Sequence, residues 1–385
     1  MALRGKERAG RIRMAVIEPS GNLYGSELAL LDILTGLDPA AFAPRVYLPT
    51  GAAFSARLAD AGIPFEELLL PRSHTQSRWR KVLTYLRLVG RLRQQRPDLL
   101  YVNEAGILRP MRWIAALLRL PILCQVTTIE DARWISGLSG DDQWVLAYVC
   151  NSDFTAAQTR VPESAKSVVY NGYRPKGLLT PGITRPREPF RAGILGRICE
   201  MKGHHLVVEA LELLWARMPG LRWEVRFIGD TLTPEEWPPW AERIRRAGLA
   251  SVIVPRGYRQ DIKGELAELD LLLIPSQGEA FGRILCEAAE AGVPVLLADS
   301  GGLGELSHRF GIGERHAPGD AADLARQLMA IREDYAAVAA RFESGAPRLL
   351  GALDEQAYLD VVAAMIRSVA NREPVARRWY GQEGV

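Results

Sequence analysis

The chain has 385 residues, 48% of them hydrophobic and 24% charged. That excludes disorder, collagen and coiled coil for the whole and gives length enough for two domains. The net charge of +3 makes no global case for nucleic-acid binding, but residues 1–170 hold 21 Lys and Arg against 16 Asp and Glu, and the remainder 27 against 29, so the basic excess sits in the N-terminal half.

The first apolar run, Ile12–Ile17, reads as a buried strand, and Glu18-Pro19-Ser20-Gly21-Asn22 as the turn after it. Helical spacing follows over 26–37, with Ser26 as its N-cap. The pattern then gives a strand at 44–48, a helix at 52–61, a strand at 65–69, a long basic helix at 77–93, a strand at 99–102, a helix at 109–118, a strand at 122–126 and an apolar run at 144–150. Residues 173–190 change character, with Pro175, Gly177, Pro181, Gly182, Pro186 and Pro189 among few apolar residues, and read as an interdomain linker. The alternation restarts beyond it. Strands are expected at 191–195, 223–228, 251–254, 271–274 and 293–298, and helices at 204–218, 261–269, 283–291, 321–332 and 355–371. Strands alternating with helices imply parallel sheets. The expected fold is therefore α/β with two Rossmann-like domains: 1–172, then the linker 173–190, then 191–354, with a C-terminal segment 355–385.

Cys124, Cys150, Cys199 and Cys286 form no C-x-x-C pair, which suggests neither zinc nor a disulfide framework; they read as buried thiols of a reducing compartment. The basic N-terminal stretch lacks a following apolar segment, and no apolar run reaches the roughly 18 residues of a membrane span. The expected location is cytoplasmic.

The segment Gly278-Glu279-Ala280-Phe281-Gly282-Arg283, with Glu287 a turn further on, is the most informative. It follows the strand 271–274 and opens a helix, where open parallel sheets bind ligands. Backbone N–H groups near Phe281, Gly282 and Arg283 suit an anion or a hydroxyl. A carboxylate accepts two hydrogen bonds at once and so suits a vicinal diol. The bland alternative has Glu279 capping the helix and Glu287 solvated. The second element is Gly196-Arg197-Ile198-Cys199-Glu200-Met201-Lys202-Gly203, directly after the second domain's first strand. Arg197 offers a forked donor and Lys202 a point charge, and together they can bracket a diphosphate. As an isolated motif, a basic loop is more often simply solvated.

The E-x7-E spacing of Glu279 and Glu287, preceded by Gly196-Arg197 and Lys202-Gly203, resembles glycosyltransferase family 4, retaining enzymes of the GT-B fold. The likeness is strong over 191–300 and only in outline over the N-terminal half. It implies two domains facing a central cleft, an N-terminal acceptor-binding domain, a C-terminal donor-binding domain and a terminal helix that crosses back to the first. It implies a nucleotide-diphosphate sugar as co-substrate, with no other cofactor. Arg197 and Lys202 would hold the diphosphate, Glu287 the ribose, and Glu279 the donor sugar beside Phe281 and Gly282. Arg256, Gly257 and Tyr258 would lie near the base, and Gly21 would approach from the opposite domain. Many members carry a histidine after the strand equivalent to 122–126. Here the sequence reads Thr127-Thr128-Ile129-Glu130-Asp131. Either threonine would replace that contact, or the donor lacks an ordinary 6-hydroxyl. Tyr24, Asn103, Glu104, Arg109, Thr127, Thr128, Glu130 and Arg133 follow strand ends or lie in facing loops and are acceptor-side candidates.

No Asp-x-Asp metal pair stands in a suitable loop, Asp141-Asp142 being adjacent, and two fixed cations can do a metal's work on a leaving diphosphate; no metal is expected. From Arg72 to Arg96 there are eight Lys and Arg and no acid, with an apolar stripe of Trp79, Val82, Leu83, Leu86, Val89 and Leu92. This is either an amphipathic contact for the inner membrane face and a lipid-linked acceptor, or a helix packed on the sheet with solvated charges. Competing functions are a nucleotide-sugar epimerase, a glycosyl phosphorylase and a non-catalytic sugar-binding scaffold. A dehydrogenase is disfavoured because the first turn, Gly21 to Gly25, lacks G-x-G-x-x-G.

Overall fold

The computed structural model describes residues 10–23, 25–68, 70, 78–138, 143–175, 177, 186–218, 220, 222–375 and 378–379. Tyr24, Arg72, Asp141, Asp142, Pro181 and Gly182 lie outside the described residues. Met1–Gly172 with Leu353–Val385 form one compact unit, and Tyr173–Ala352 form the other.

The first unit begins β1 (Ile12–Ile17), α1 (Gly25–Gly36), β2 (Phe42–Pro49), α2 (Ala53–Asp60), β3 (Phe65–Leu68), α3 (Arg78–Gln95), β4 (Leu99–Val102), α4 (Leu108–Leu118), β5 (Ile122–Val126), α5 (Ile129–Ser136), β6 (Val145–Cys150), α6 (Asp153–Gln158) and β7 (Lys166–Val169). The central strands β4 and β5 are buried along their whole length, which is why they read as unbroken apolar runs rather than alternating ones. Ser26 is not a cap. The helix already begins at Gly25, and the Ser26 hydroxyl donates to Glu27 Oε2 at 2.9 Å.

The second unit runs β8 (Phe190–Leu195), α7 (His204–Arg217), β9 (Trp223–Ile228), α8 (Trp237–Arg246), β10 (Ile253–Gly257), α9 (Ile262–Ala267), β11 (Leu271–Ile274), α10 (Arg283–Ala291), β12 (Val295–Ala298), α11 (Gly301–Phe310), β13 (Glu314–His316), α12 (Ala321–Glu333) and α13 (Tyr335–Ala352). Its six parallel strands are ordered β10-β9-β8-β11-β12-β13. The strand expected at 251–254 stands two residues later, so Arg256 and Gly257 end β10 instead of forming a loop after it. Sequence reading passed over α8, which carries Pro238-Pro239 in its first turn. Prolines are tolerated in a helix's first turn, where an N–H has no intrahelical partner. The described part of segment 173–190 is anchored on this unit. The Tyr173 hydroxyl donates to Glu290 at 2.7 Å, and Arg187 binds buried Asp270 at 3.0 Å.

The chain then returns to the first unit through α14 (Glu355–Asn371) and β14 (Arg378–Trp379). Tyr358, Leu359, Val362, Met365, Ile366 and Val369 join the core formed with α1 and β1. β14 pairs in parallel with β7 and completes an eight-stranded sheet ordered β14-β7-β6-β5-β4-β1-β2-β3. No helix among the described residues is long and apolar enough to cross a membrane. All four cysteines are free thiols; Cys124, Cys150 and Cys286 are buried as expected, while Cys199 is only half-buried.

Candidate functional site

In the second sheet, strand order reverses between β8 and β11, so the loops after these neighbours diverge and leave a crevice. Both sequence motifs lie there. Gly196-Arg197 follows β8, and Gly278 to Gly282 joins β11 to α10. The β8 loop ends in a short 3-10 turn, Glu200–Lys202, and Gly203 then opens α7. Gly203 has φ +80°, and a Cβ there would sit 2.7 Å from the Pro275 carbonyl oxygen. Only glycine lets this turn lie against the end of β11. That approach brings the Lys202 ammonium onto the Glu279 carboxylate, with both side chains partly exposed.

The loop carrying Glu279 is held from behind by the start of α11. Gly302 N–H donates to the Glu279 carbonyl at 2.7 Å, and Gly278 N–H donates to Ser300 Oγ at 3.3 Å. A Cβ on Gly302 would lie 2.0 Å from the Ala280 carbonyl oxygen. Sequence reading missed this support. Its signal was Gly301-Gly302 shortly after the buried strand β12, past Asp299 and Ser300. Gly282 caps α10, so the helix's free N–H groups and the positive end of its dipole face the same loop. Arg283 opens the helix and Glu287 follows one turn on, partly exposed, whereas Phe281 is buried. Glu290, one turn further, is structural: buried, it accepts from Tyr173 at 2.7 Å and pairs with Lys263 at 3.2 Å.

Arg256, Gly257 and Tyr258 stand at the end of β10, two strands from β8. Arg256 and Arg259 both pair with Glu265, at 3.0 and 3.1 Å, which fixes the Arg256 guanidinium, while the Tyr258 ring is 71% exposed. His204, at the start of α7, is buried with its ring edge-on to Phe227; burial and nearby Lys202 push its pKa down to about 4, so it is neutral near pH 7.

The first sheet has its own reversal, between β1 and β4, and a second polar cluster fills it. Glu18, directly after β1, is fully buried. It accepts the N–H groups of Ser20 at 2.8 Å and Gly21 at 3.1 Å, and the Asn103 amide at 2.6 Å. Ser20 donates to buried Glu27. Carboxylate oxygens of Glu18, Glu27 and Glu104 lie within 4.8 Å of one another. A carboxylate close to other carboxylates is harder to ionise. Burial first, then the charges of Glu18, Asp131 and Glu27, push Glu104 up to about 8. Burial also raises Glu18, against the opposing Gly21 N–H.

Asn103, Glu104 and Gly21 are thus brought together, as is Glu27, which sequence reading passed over. After β5, Thr128 and Asp131 form a capping box. Thr128 caps α5, and both threonines bond Asp131, at 3.4 and 2.9 Å through their hydroxyls. Asp131 also accepts Ala105 N–H at 2.7 Å. Of the adjacent acids, Asp131 therefore points in, while Glu130 and Arg133 are exposed on α5 and Arg109 is exposed on α4.

Two parallel-sheet α/β units, the C-terminal helix packed on the first, define the GT-B class of fold. The solved structure of Anabaena HepE in complex with UDP and glucose matches with a TM-score of 0.77 at 22% identity, over 93% of this chain and all of that one. Residues 189–334 match the family described as glycosyl transferases group 1. The chain carries a group 1 glycosyltransferase domain and is a glycosyltransferase. Glycogen synthase of Mycobacterium tuberculosis is 24% identical over 312 residues, covering 76% of this chain and 74% of that protein. The 2-deoxystreptamine glucosyltransferase of Streptomyces kanamyceticus is 33% identical over 156 residues, covering 40% of this chain and 39% of that protein.

Proposed function

We propose that the chain is a retaining, family 4 glycosyltransferase that moves a sugar from a nucleoside-diphosphate sugar to a hydroxyl of a saccharide or lipid-linked saccharide. The work would belong to cell-surface polysaccharide or glycoconjugate synthesis, in the cytoplasm, with the acceptor at the inner membrane face. The observation that carries this reading is the meeting of Lys202 and Glu279 where the second sheet's strand order reverses, beside the start of α10. It joins a cation for phosphate to a carboxylate for sugar hydroxyls.

Breaking the anomeric C–O bond puts positive charge on the sugar and negative charge on the departing diphosphate. Arg197, Lys202 and the N-terminus of α10 act on the second charge, and they do so most strongly in the transition state, where it is largest. With these fixed positive groups the reaction needs no divalent ion. Glu287 takes the ribose hydroxyls and Glu279 those of the donor sugar. The acceptor enters from the front face of the ion pair, so configuration is kept. UDP, the nucleotide bound to HepE, is the first candidate. Calorimetric titration with UDP, GDP, TDP and ADP tests the reading: one nucleotide binds selectively, and Arg197→Ala loses it. Binding of none overturns the proposal.

A further inference from the structure

The apolar stripe on α3 splits in the folded protein. Leu88, Val89 and Leu92 are buried against the first unit. Trp79, Val82, Leu83 and Leu86 are not: they stand 79%, 47%, 54% and 61% exposed. Their spacing of three, four and seven residues puts them on one helix face. The crossovers from β3 to β4 and from β4 to β5 run in the same direction across the sheet. Right-handed connections therefore place α3 and α4 in one layer, and the two helices pack side by side. α4 adds two more outward apolar side chains, Trp113 at 77% and Leu117 at 59% exposed. A solvated helix face is normally polar, and an apolar patch this large on two adjacent helices marks an interaction surface.

Charge says what covers it. No Asp or Glu occurs between Glu67 and Asp98, or between Glu104 and Glu130. Cations flank the patch: Arg87 and Arg93 are exposed on α3, and Arg109 and Arg119 are exposed at the two ends of α4. Glu66 offsets one further cation, Arg91, at 2.8 Å. Tryptophan is favoured at the boundary between headgroups and acyl chains, and cations favour anionic lipid.

We propose that the outer faces of α3 and α4 form one docking surface for an anionic lipid bilayer, with Trp79, Leu83, Leu86, Trp113 and Leu117 entering the interface and the arginines meeting headgroup phosphates. The proposal does not depend on the donor site. Vesicle flotation of the full chain tests it, using equimolar phosphatidylcholine and phosphatidylglycerol against phosphatidylcholine alone. Three variants accompany it: Trp79→Ser with Leu86→Ser, Trp113→Ser with Leu117→Ser, and Arg87→Glu with Arg93→Glu. Circular dichroism and thermal melts establish that each variant folds.

The expected result is binding to the anionic vesicles only, weakened by salt, and reduced at least about tenfold in each variant. Equal binding to both vesicle types, or unchanged binding in folded variants, overturns the proposal. So does a wild-type dimer that binds no vesicles and is dissolved by Trp113→Ser with Leu117→Ser, which would make the face a subunit interface. Vesicle binding without nucleotide binding would leave this inference standing and sink the donor-site reading.

Discussion

Lys202 and Glu279 are 77 residues apart in the chain and meet as an ion pair where the second sheet reverses its strand order. With side chains 33% and 22% exposed, the pair contributes about 1 kcal/mol or less to stability. Its value lies in holding a cation and a carboxylate beside the start of α10. Substitutions here test function without unfolding the protein. Lys202→Ala and Arg197→Ala are each expected to lower turnover about 100- to 1,000-fold, with thermal midpoints within a few degrees of the parent. Steady-state assays with the identified donor, set beside thermal melts, decide this. Turnover near the parent value in either variant removes that residue from the diphosphate site.

On the proposed mechanism the positive groups on the leaving phosphate belong to the protein, so transfer is expected to continue at full rate in excess EDTA. Loss of activity that magnesium restores would show that a divalent ion carries the leaving group.

Glu287 is expected to read the ribose. Losing a carboxylate that holds two hydroxyls costs about 1.5–3 kcal/mol, roughly ten- to a hundredfold in affinity. Wild type should therefore prefer UDP to its 2′-deoxy analogue, and Glu287→Ala should bind both equally weakly. Titrations that leave the preference intact in the variant would place the ribose elsewhere.

Gly302 supports the Glu279 loop from behind. A methyl group there meets backbone, the Ala280 carbonyl oxygen at 2.0 Å, which cannot rotate away. Gly302→Ala should cost about 1–3 kcal/mol and weaken nucleotide binding. Gly351→Ala, with nothing within 4 Å of the new methyl on helix α13, should be neutral or stabilising. Chemical denaturation of the pair, with calorimetry, checks both.

The acidic cluster of the first unit makes stability depend on pH. The folded pKa of Glu104 lies at about 8, above its ordinary 4.5, and Glu18 is raised in the same direction. Between those values the unfolded chain binds fewer protons than the folded one, so stability is greatest at the acid end of the window and falls as pH rises through it. Glu104→Gln should flatten that fall and raise the melting temperature at pH 8 relative to wild type. Parallel melting curves for the two proteins from pH 5 to pH 8 would refute the assignment.

Local pattern was enough for much of this protein. Buried strands such as β4 and β5 are unbroken apolar runs because both faces are covered. The helix of Glu287 is legible from its glycines and alanines, and Glu279 and Lys202 are legible from their position just past strand ends. Those features depend on neighbours in the chain. Tertiary structure decided the rest. Glu18 and Glu27 look like surface acids until strand order puts β1 beside β4 and buries them together. The α3 stripe looks continuous until the sheet covers Leu88 and Leu92 and leaves Trp79 and Leu86 facing out beside Trp113. In each case the deciding contact joins segments far apart in the chain, and burial, unlike helical or strand period, is a property of the pair rather than of either segment.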